Sequence, residues 1–258
     1  IPSTFDPRLI SVIPAAVAEA AMKSGVARKK IEDFDLYKDQ LLNRLDPSMS
    51  LMQGINAKIR KNPKRVIFAE GEDERVLRAA QAILEETNEQ PILIGRPDVI
   101  SQRCERLGLK IRPNEDFRLV NPENDPRYRD YWTSYHELMS RRGVSTDLAK
   151  AIMRTNTTAI GAVMVHRGEA DSLICGTFGE YHWHLKYAEQ ILGNERLRPK
   201  GALSLLILED GPLFIGDTQV WTEPTPQQIA NTAIGAARHV RRFGVEPKIA
   251  LCTQSQFG

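Results

Sequence analysis

The sequence predicts an α/β fold in which helices cover a parallel sheet. Two observations carry this. Short apolar runs alternate with amphipathic segments: "RVIFAEG" leads into "EDERVLRAAQAILEE", and "PILIG" into "PDVISQRCERLG". The connections between them are short, which suits strand–helix–strand units with right-handed crossovers.

Each element has a local reason. At the front, "SVIPAAVAEAAMKSG" predicts a helix through Lys23 that Gly25 closes, because glycine accepts the left-handed turn at a helix end. "DFDLYKDQLLNRL" predicts a second helix, with Leu36, Leu41, Leu42 and Leu45 placed on one side. "DPSMS" at 46–50 is a turn, and a further helix is expected from Leu51 to Arg60, stopped by "KNPK". The two strand–helix pairs follow, the first strand ending at Gly71. From Asp125 the pattern turns helical, in "DPRYRDYWTSYHELMSRRG", "STDLAKAIMRT" and "TTAIGAVMVHRG". A strand, "DSLICG", comes next. "ALSLLILED" and "PLFIGDTQV" meet at "DGP" and predict a hairpin. "TPQQIANTAIGAARHVRRFG" is a long helix with Thr225 as N-cap, Pro226 in its first position and Gly244 as C-cap. "PKIALC" is read as a final strand. No internal repeat or low-complexity tract appears.

Composition narrows the function classes. A net charge of +2 over 258 residues gives no bulk field for nucleic acid or membrane surfaces, and neither is expected as a partner. No apolar run is long enough to span a membrane. Cys104, Cys175 and Cys252 are widely spaced and odd in number, which fits a reducing cytoplasm better than a disulfide framework. Ile1 in place of methionine, and a strand-like end running into "TQSQFG", predict a piece of a longer chain.

The stretch richest in chemistry is "LICGTFGEYHWHLK", residues 173–186. His182 and His184 point about 200° apart on a helix, so one metal ion cannot take both. Cys175 sits at a strand end before a helix, where a thiolate could be activated, yet cysteine is also a common buried hydrophobe. The third reading is a ligand loop, since ligands of parallel α/β sheets bind beyond the carboxyl ends of strands. "CGTFG", "GDTQ" at 216–219 and "TQSQFG" at 253–258 offer glycines, hydroxyls and amides at three such ends, which suits phosphate groups. Ordinary turns explain the same residues equally well. The acidic run Glu70, Glu72, Asp73 and Glu74 reads as a helix start, where carboxylates favour the positive end of the dipole. The dinucleotide fingerprint, the P-loop and the HExxH zinc motif do not occur.

Taken in order, "RVIFAEGEDERVLRAA", "PILIGRPDVI", "RRGVS", "GAVMVHRGEADSLICGT", "PLFIGDTQV" and "PKIALCTQSQFG" resemble the phosphate acetyltransferase family over about Arg65 to Gly258. The front, "IPSTFDPRLISVIPAAVAEAAMKSGVARKKIEDFDLY", is similar to the tail of an NADP-dependent malic enzyme. That pairing is the layout of the bacterial hybrid malic enzymes. The resemblance implies a three-layer parallel-sheet sandwich in two lobes, of the kind shared with isocitrate and isopropylmalate dehydrogenases. It implies a helical tail at 1–45, a first lobe at 52–150 and an incomplete second lobe from 151 to 258.

It also implies a function. In such hybrids malate, NADP and a divalent metal belong to the absent N-terminal part, and the C-terminal domain senses acetyl-CoA, which inhibits the enzyme. Homo-oligomers are expected. The acyl-CoA and phosphate contacts implied are Arg142, Cys175, Gly176, Thr177, His182, Lys186, Asp217, Thr253 and Ser255, with no catalytic residue in this segment. Three departures motivate that last point. Met139 stands where the family has an arginine, Lys186 where it has a second, and "TQSQFG" replaces a loop in which Phe257 takes a lysine's place. Methionine offers no donor to a phosphate, whereas a guanidinium offers a planar fork. The rival readings are an active transferase moving acetyl between CoA and phosphate, and a purely structural assembly domain.

Overall fold

A computed structural model describes residues 9–42, 55, 58–87, 89–193, 200–208 and 211–252. The expected turn at 46–50, most of the helix expected from Leu51, and Thr253, Ser255 and Phe257 lie outside them. The described residues divide into two compact units, one within 62–198 and one within 1–61 together with 199–258.

The unit within 62–198 is built on four parallel strands, β1 (Val66–Phe68), β2 (Ile92–Ile94), β3 (Arg118–Val120) and β4 (Ser172–Ile174). Their spatial order is β3-β2-β1-β4. Period-two alternation sends neighbouring residues to opposite faces. Phe68 and Leu93 join Val76, Leu77 and Ala80 of α3 (Glu74–Thr87) and Ile100 and Cys104 of α4 (Pro97–Leu107). Ile67, Ile92, Ile94 and Val120 join the other face, which is covered by α5 (Tyr128–Met139), α6 (Thr146–Thr155), α7 (Thr157–His166) and α8 (Tyr181–Leu192). Helices, sheet and helices make three layers, as the family resemblance implies. Each fully buried aliphatic side chain contributes roughly 1.5–3 kcal/mol to such a core.

Close approach of α7 to the sheet depends on Gly161. A Cβ there would stand 2.6 Å from Leu173 Cδ1 and 3.3 Å from Ile67 Cγ2, inside van der Waals contact. Ser145 and Asn156 cap α6 and α7 by accepting from Leu148 N–H and Ala159 N–H. Residue 150, the expected end of the first lobe, lies inside α6, and α6 and α7 both supply the core of this unit.

The other unit holds α1 (Leu9–Lys23), α2 (Phe34–Leu42), an antiparallel hairpin of β5 (Leu203–Leu208) and β6 (Gly211–Gly216), and α9 (Pro226–Arg242). Thr225 and Gln228 form the capping box of α9: the Thr225 hydroxyl accepts from Gln228 N–H, and Gln228 Oε1 accepts from Thr225 N–H. Gly25 and Gly244 take the positive φ expected beyond helix ends.

Three expectations are corrected. Lys248–Cys252 form no strand; Ile249 and Leu251 are 55 % and 72 % exposed, so the apolar run has no sheet to join among the described residues. Leu36 is 56 % exposed while Leu41 is buried, because five residues turn a helix by about 140° and put them on different sides. β3 is a strand the sequence reading does not include: it is three residues long and begins on the exposed Arg118. Among the described residues no helix is long and apolar enough to cross a membrane.

Candidate functional site at the strand-end switch point

Strand order selects the place to look. The chain steps from β1 to β2 to β3 in one direction, with α3 and α4 on one face. It then returns along the other face to place β4 on the far side of β1. In open parallel sheets such a reversal leaves a crevice outside the carboxyl ends of the two strands concerned. Here those ends are Ala69–Gly71 after β1 and Cys175–Glu180 after β4.

The turn after β4 is held from three directions. Ala69 N–H donates to Ile174 O at 2.9 Å, extending the β1–β4 pairing. Gly176 N–H donates to both carboxyl oxygens of Glu70, at 3.2 and 3.1 Å. Arg75 Nη2 donates to Thr177 O at 2.7 Å. His184 Nε2 donates to Phe178 O at 2.7 Å. A carbonyl only accepts, so Nε2 carries a proton; in the neutral ring Nδ1 accepts from the Thr158 hydroxyl, 2.8 Å away. Glu70, Thr158 and His184 are 6 %, 0 % and 5 % exposed. Glu70 Oε1 lies 3.9 Å from His184 Nδ1. Gly176 and Gly179 take φ of +100° and +85°, a conformation that other residues adopt at a cost.

The charges at this edge are paired internally. Arg96 grips Glu72 through Nε and Nη2, and Arg103 donates to the Glu72 carbonyl. Arg75 grips Asp73 through Nε and Nη2, and its hydrogen bonds hold that carboxyl down to about 2. The Arg96 hydrogen bond similarly lowers Glu72. Burial first, and the Glu70 charge second, push the Cys175 thiol above its ordinary range. A thiol kept protonated is a poor nucleophile, so the arrangement positions groups and does not arm Cys175 for attack. Among the described residues no cluster of three or more histidine, cysteine or acidic side chains could hold a metal ion.

The expected site residues separate. Cys175, Gly176 and Thr177 form the held turn. His182 and Lys186 are exposed on α8, the Lys186 ammonium 6.0 Å from the Tyr187 ring. Arg142 is exposed in a 3-10 turn, Ser140–Arg142, after α5. Asp217, in the other unit, serves its own turn: its carboxyl accepts from Ala202, Val220 and Trp221 N–H at 2.8, 3.2 and 2.8 Å. Met139 is 3 % exposed in the core with Tyr131, Tyr135 and Met153, so its thioether is a packing group. The sequence reading missed Glu70 and His184. For His184 a signal existed: His184, Tyr187, Ala188 and Ile191 recur at helical spacing, and His184 and Ile191 are the buried residues of α8.

The phosphate acetyl/butaryl transferase family matches residues 50–258. Over 259 residues the chain is 49 % identical to the NADP-dependent malic enzyme of Salmonella typhimurium, covering 100 % of this chain and 34 % of that enzyme. It is 52 % identical over 260 residues to the NAD-dependent malic enzyme of Rhizobium meliloti, with the same coverages. A phosphate acetyltransferase of Nitratidesulfovibrio vulgaris is 31 % identical over 214 residues, covering 83 % of this chain and 30 % of that enzyme. The chain thus spans about a third of the length of these relatives. A phosphotransacetylase from Streptococcus pyogenes superposes with a TM-score of 0.72 at 24 % identity, over 81 % of this chain and 63 % of that one. Sequence and fold together place the chain in the phosphate acetyl/butaryl transferase family.

Proposed function

We propose that this chain is the C-terminal region of a malic enzyme, the parent activity being oxidative decarboxylation of malate to pyruvate. Within it, this region binds acetyl-CoA as a regulatory ligand and transfers no acetyl group. One observation carries the first part. Residues 1–49 precede the family match, yet they are covered when the chain is aligned with malic enzymes, which match 100 % of it. The phosphate acetyltransferase of N. vulgaris matches 83 %. The front segment therefore goes with malic enzymes.

The strand-end geometry supports the second part. Cys175, Gly176 and Thr177 stand at the switch point where a ligand of this fold class is received, and His182 and Lys186 lie exposed on the helix that follows. The arginines nearest this turn, Arg75 and Arg96, are paired with Asp73 and Glu72, which supports a site that docks a ligand without transferring a group. In this reading the nicotinamide coenzyme and a divalent metal belong to the rest of the polypeptide. The two malic-enzyme relatives differ in that coenzyme, and NADP is our assignment. Cytoplasmic residence agrees with three free cysteines, and a homo-oligomer gives bound acetyl-CoA subunit packing on which to act.

The test uses the full-length protein. Calorimetry should show acetyl-CoA binding, and acetyl-CoA should change the rate of malate-dependent coenzyme reduction. Incubation with acetyl phosphate and CoA should give no acetyl-CoA above background. Brisk transfer would establish the transferase reading instead, and absence of any acetyl-CoA binding would leave an assembly domain.

A further inference from the structure

Glu70 and His184 are buried polar side chains of the 62–198 unit, 6 % and 5 % exposed, and offer little surface from which to meet a ligand. Both point at the main chain of one turn. Glu70 takes Gly176 N–H, and His184 gives its Nε2–H to Phe178 O. They come from different elements, the end of β1 and the second turn of α8. Thr158, at the start of α7, fixes the His184 ring from its other nitrogen.

We infer that His184, oriented by Thr158, is a positioning residue for ligand binding at the 175–179 turn, with Glu70 as its counterpart on the other side. The inference rests on the acyl-CoA reading above and adds the device that sets affinity. A turn with two glycines at positive φ has many conformations open to it. Left unrestrained, it would lose that freedom when a ligand arrived, at a cost to affinity. The buried clamp moves the ordering to the folding step. Gly179 belongs to the same device, since a Cβ there would meet His184 Nε2 at 3.1 Å. Neither clamp residue touches ligand, and neither is a catalytic residue.

The experiment measures the acetyl-CoA dissociation constant of the full-length protein by calorimetry, alongside amide hydrogen exchange over residues 175–180. His184→Leu keeps bulk and removes both ring nitrogens. It should weaken binding about tenfold and speed exchange in the turn. His184→Gln retains an N–H donor and a carbonyl acceptor and should stay within about threefold of wild type. Met153→Ala, in the core on 1 % exposure, should lower the melting temperature while leaving the dissociation constant unchanged, which separates positioning from general destabilisation. Should His184→Leu fail to fold, Thr158→Val decides: it removes only the hydroxyl that orients the ring, and should weaken binding in the same direction. Wild-type affinity in His184→Leu, or in Thr158→Val when that variant decides, would overturn the inference and leave the functional reading intact. A wild-type protein that does not bind acetyl-CoA would overturn both.

Discussion

The two edges of the parallel sheet solve the same problem differently. Before the strands, Glu169 is held by three cations and a phenol: Arg167 Nε donates to it at 2.8 Å, Arg127 Nη1 at 2.9 Å and the Tyr131 hydroxyl at 3.0 Å, with Arg118 at 3.9 Å. After the strands, Glu70 meets no guanidinium among the described residues; its partners there are the Gly176 N–H and, more distantly, His184. One carboxyl is held by charges, the other by dipoles. An ion-pair network is strong but tolerant of small shifts, because charge attraction falls slowly with distance. A backbone N–H and an imidazole N–H are directional, and they fix the main chain they touch. The amino edge therefore reads as scaffold and the carboxyl edge as a shaped site.

Breaking the charged edge should have the largest effect on stability. Glu169→Gln removes the counter-ion that Arg127 and Arg167 share, leaving Arg127 with Asp125 and Arg167 with Asp130. Loss of the shared partner of this half-buried network should cost about 2–3 kcal/mol, read as a lower urea midpoint with an unchanged slope. Acetyl-CoA affinity should not move; if it does, the two edges are coupled and the contrast fails. At the other edge, Thr158→Val strips a hydroxyl from a fully buried site and leaves His184 Nδ1 without its donor, at a cost of about 1–3 kcal/mol in the same measurement. A loss as large as that of Glu169→Gln would show that the buried Glu70–His184 clamp supports the fold as much as the Glu169 network does.

How far the sequence reaches differs between the edges for the same reason. Helices α3 to α9 and strands β1, β2 and β4 follow from periodicity, caps and short apolar runs, which are local properties. β3 escapes because a short strand with a charged first residue is defined by its neighbour, Ile92–Ile94, and not by its own pattern. The turn at Cys175–Thr177 was legible as a glycine-bearing strand end. Its supports were not. Glu70 reads as one of four acids opening a helix, but α3 starts at Glu74, and Glu70 meets Gly176 across 106 positions of sequence. His182 and His184 are alike in sequence; the face of α8 that packs inward decides which is buried. In sequence Met139 reads only as a missing phosphate donor; that its side chain packs in the core is set by burial, which the bare sequence does not display.

A smaller effect sharpens the contrast from the glycine side. Gly179→Ala places a Cβ at 3.1 Å from His184 Nε2 and forces alanine to a φ of +85°. The strain should cost about 1–2 kcal/mol, seen as a lower melting temperature. Gly168→Ala is the control: its φ is +74° but nothing stands within 4 Å of the new Cβ, so it carries backbone strain alone. A larger loss at Gly179 than at Gly168 measures the contact with the imidazole. Equal losses would mean that the ring yields and the clamp is soft.

The smallest effect is a pH dependence at the charged edge. Asp171 receives Arg65 Nε and Nη2 at 3.2 and 3.1 Å, and these hydrogen bonds, with that from Arg65 N–H, hold its carboxyl down to about 2. An unfolded aspartate titrates near pH 4. Because the folded value is the lower, the unfolded chain binds the extra proton between them. The contribution of Asp171 is therefore complete above about pH 4 and disappears as the pH falls toward about 2. Glu169 shifts the same way: burial raises it, but hydrogen bonds from Arg167 and Tyr131 and the charge of Arg127 more than offset that. Asp171→Asn should melt slightly below wild type near neutral pH, and the two melting temperatures should converge on acidification through this window. The pair is exposed, at 54 % and 37 % for the Arg65 and Asp171 side chains, so solvent and added salt screen it and the gap should shrink in high salt. A gap that persisted unchanged from neutral pH to about pH 2 would mean that asparagine disturbs packing and that the ion pair stabilises nothing.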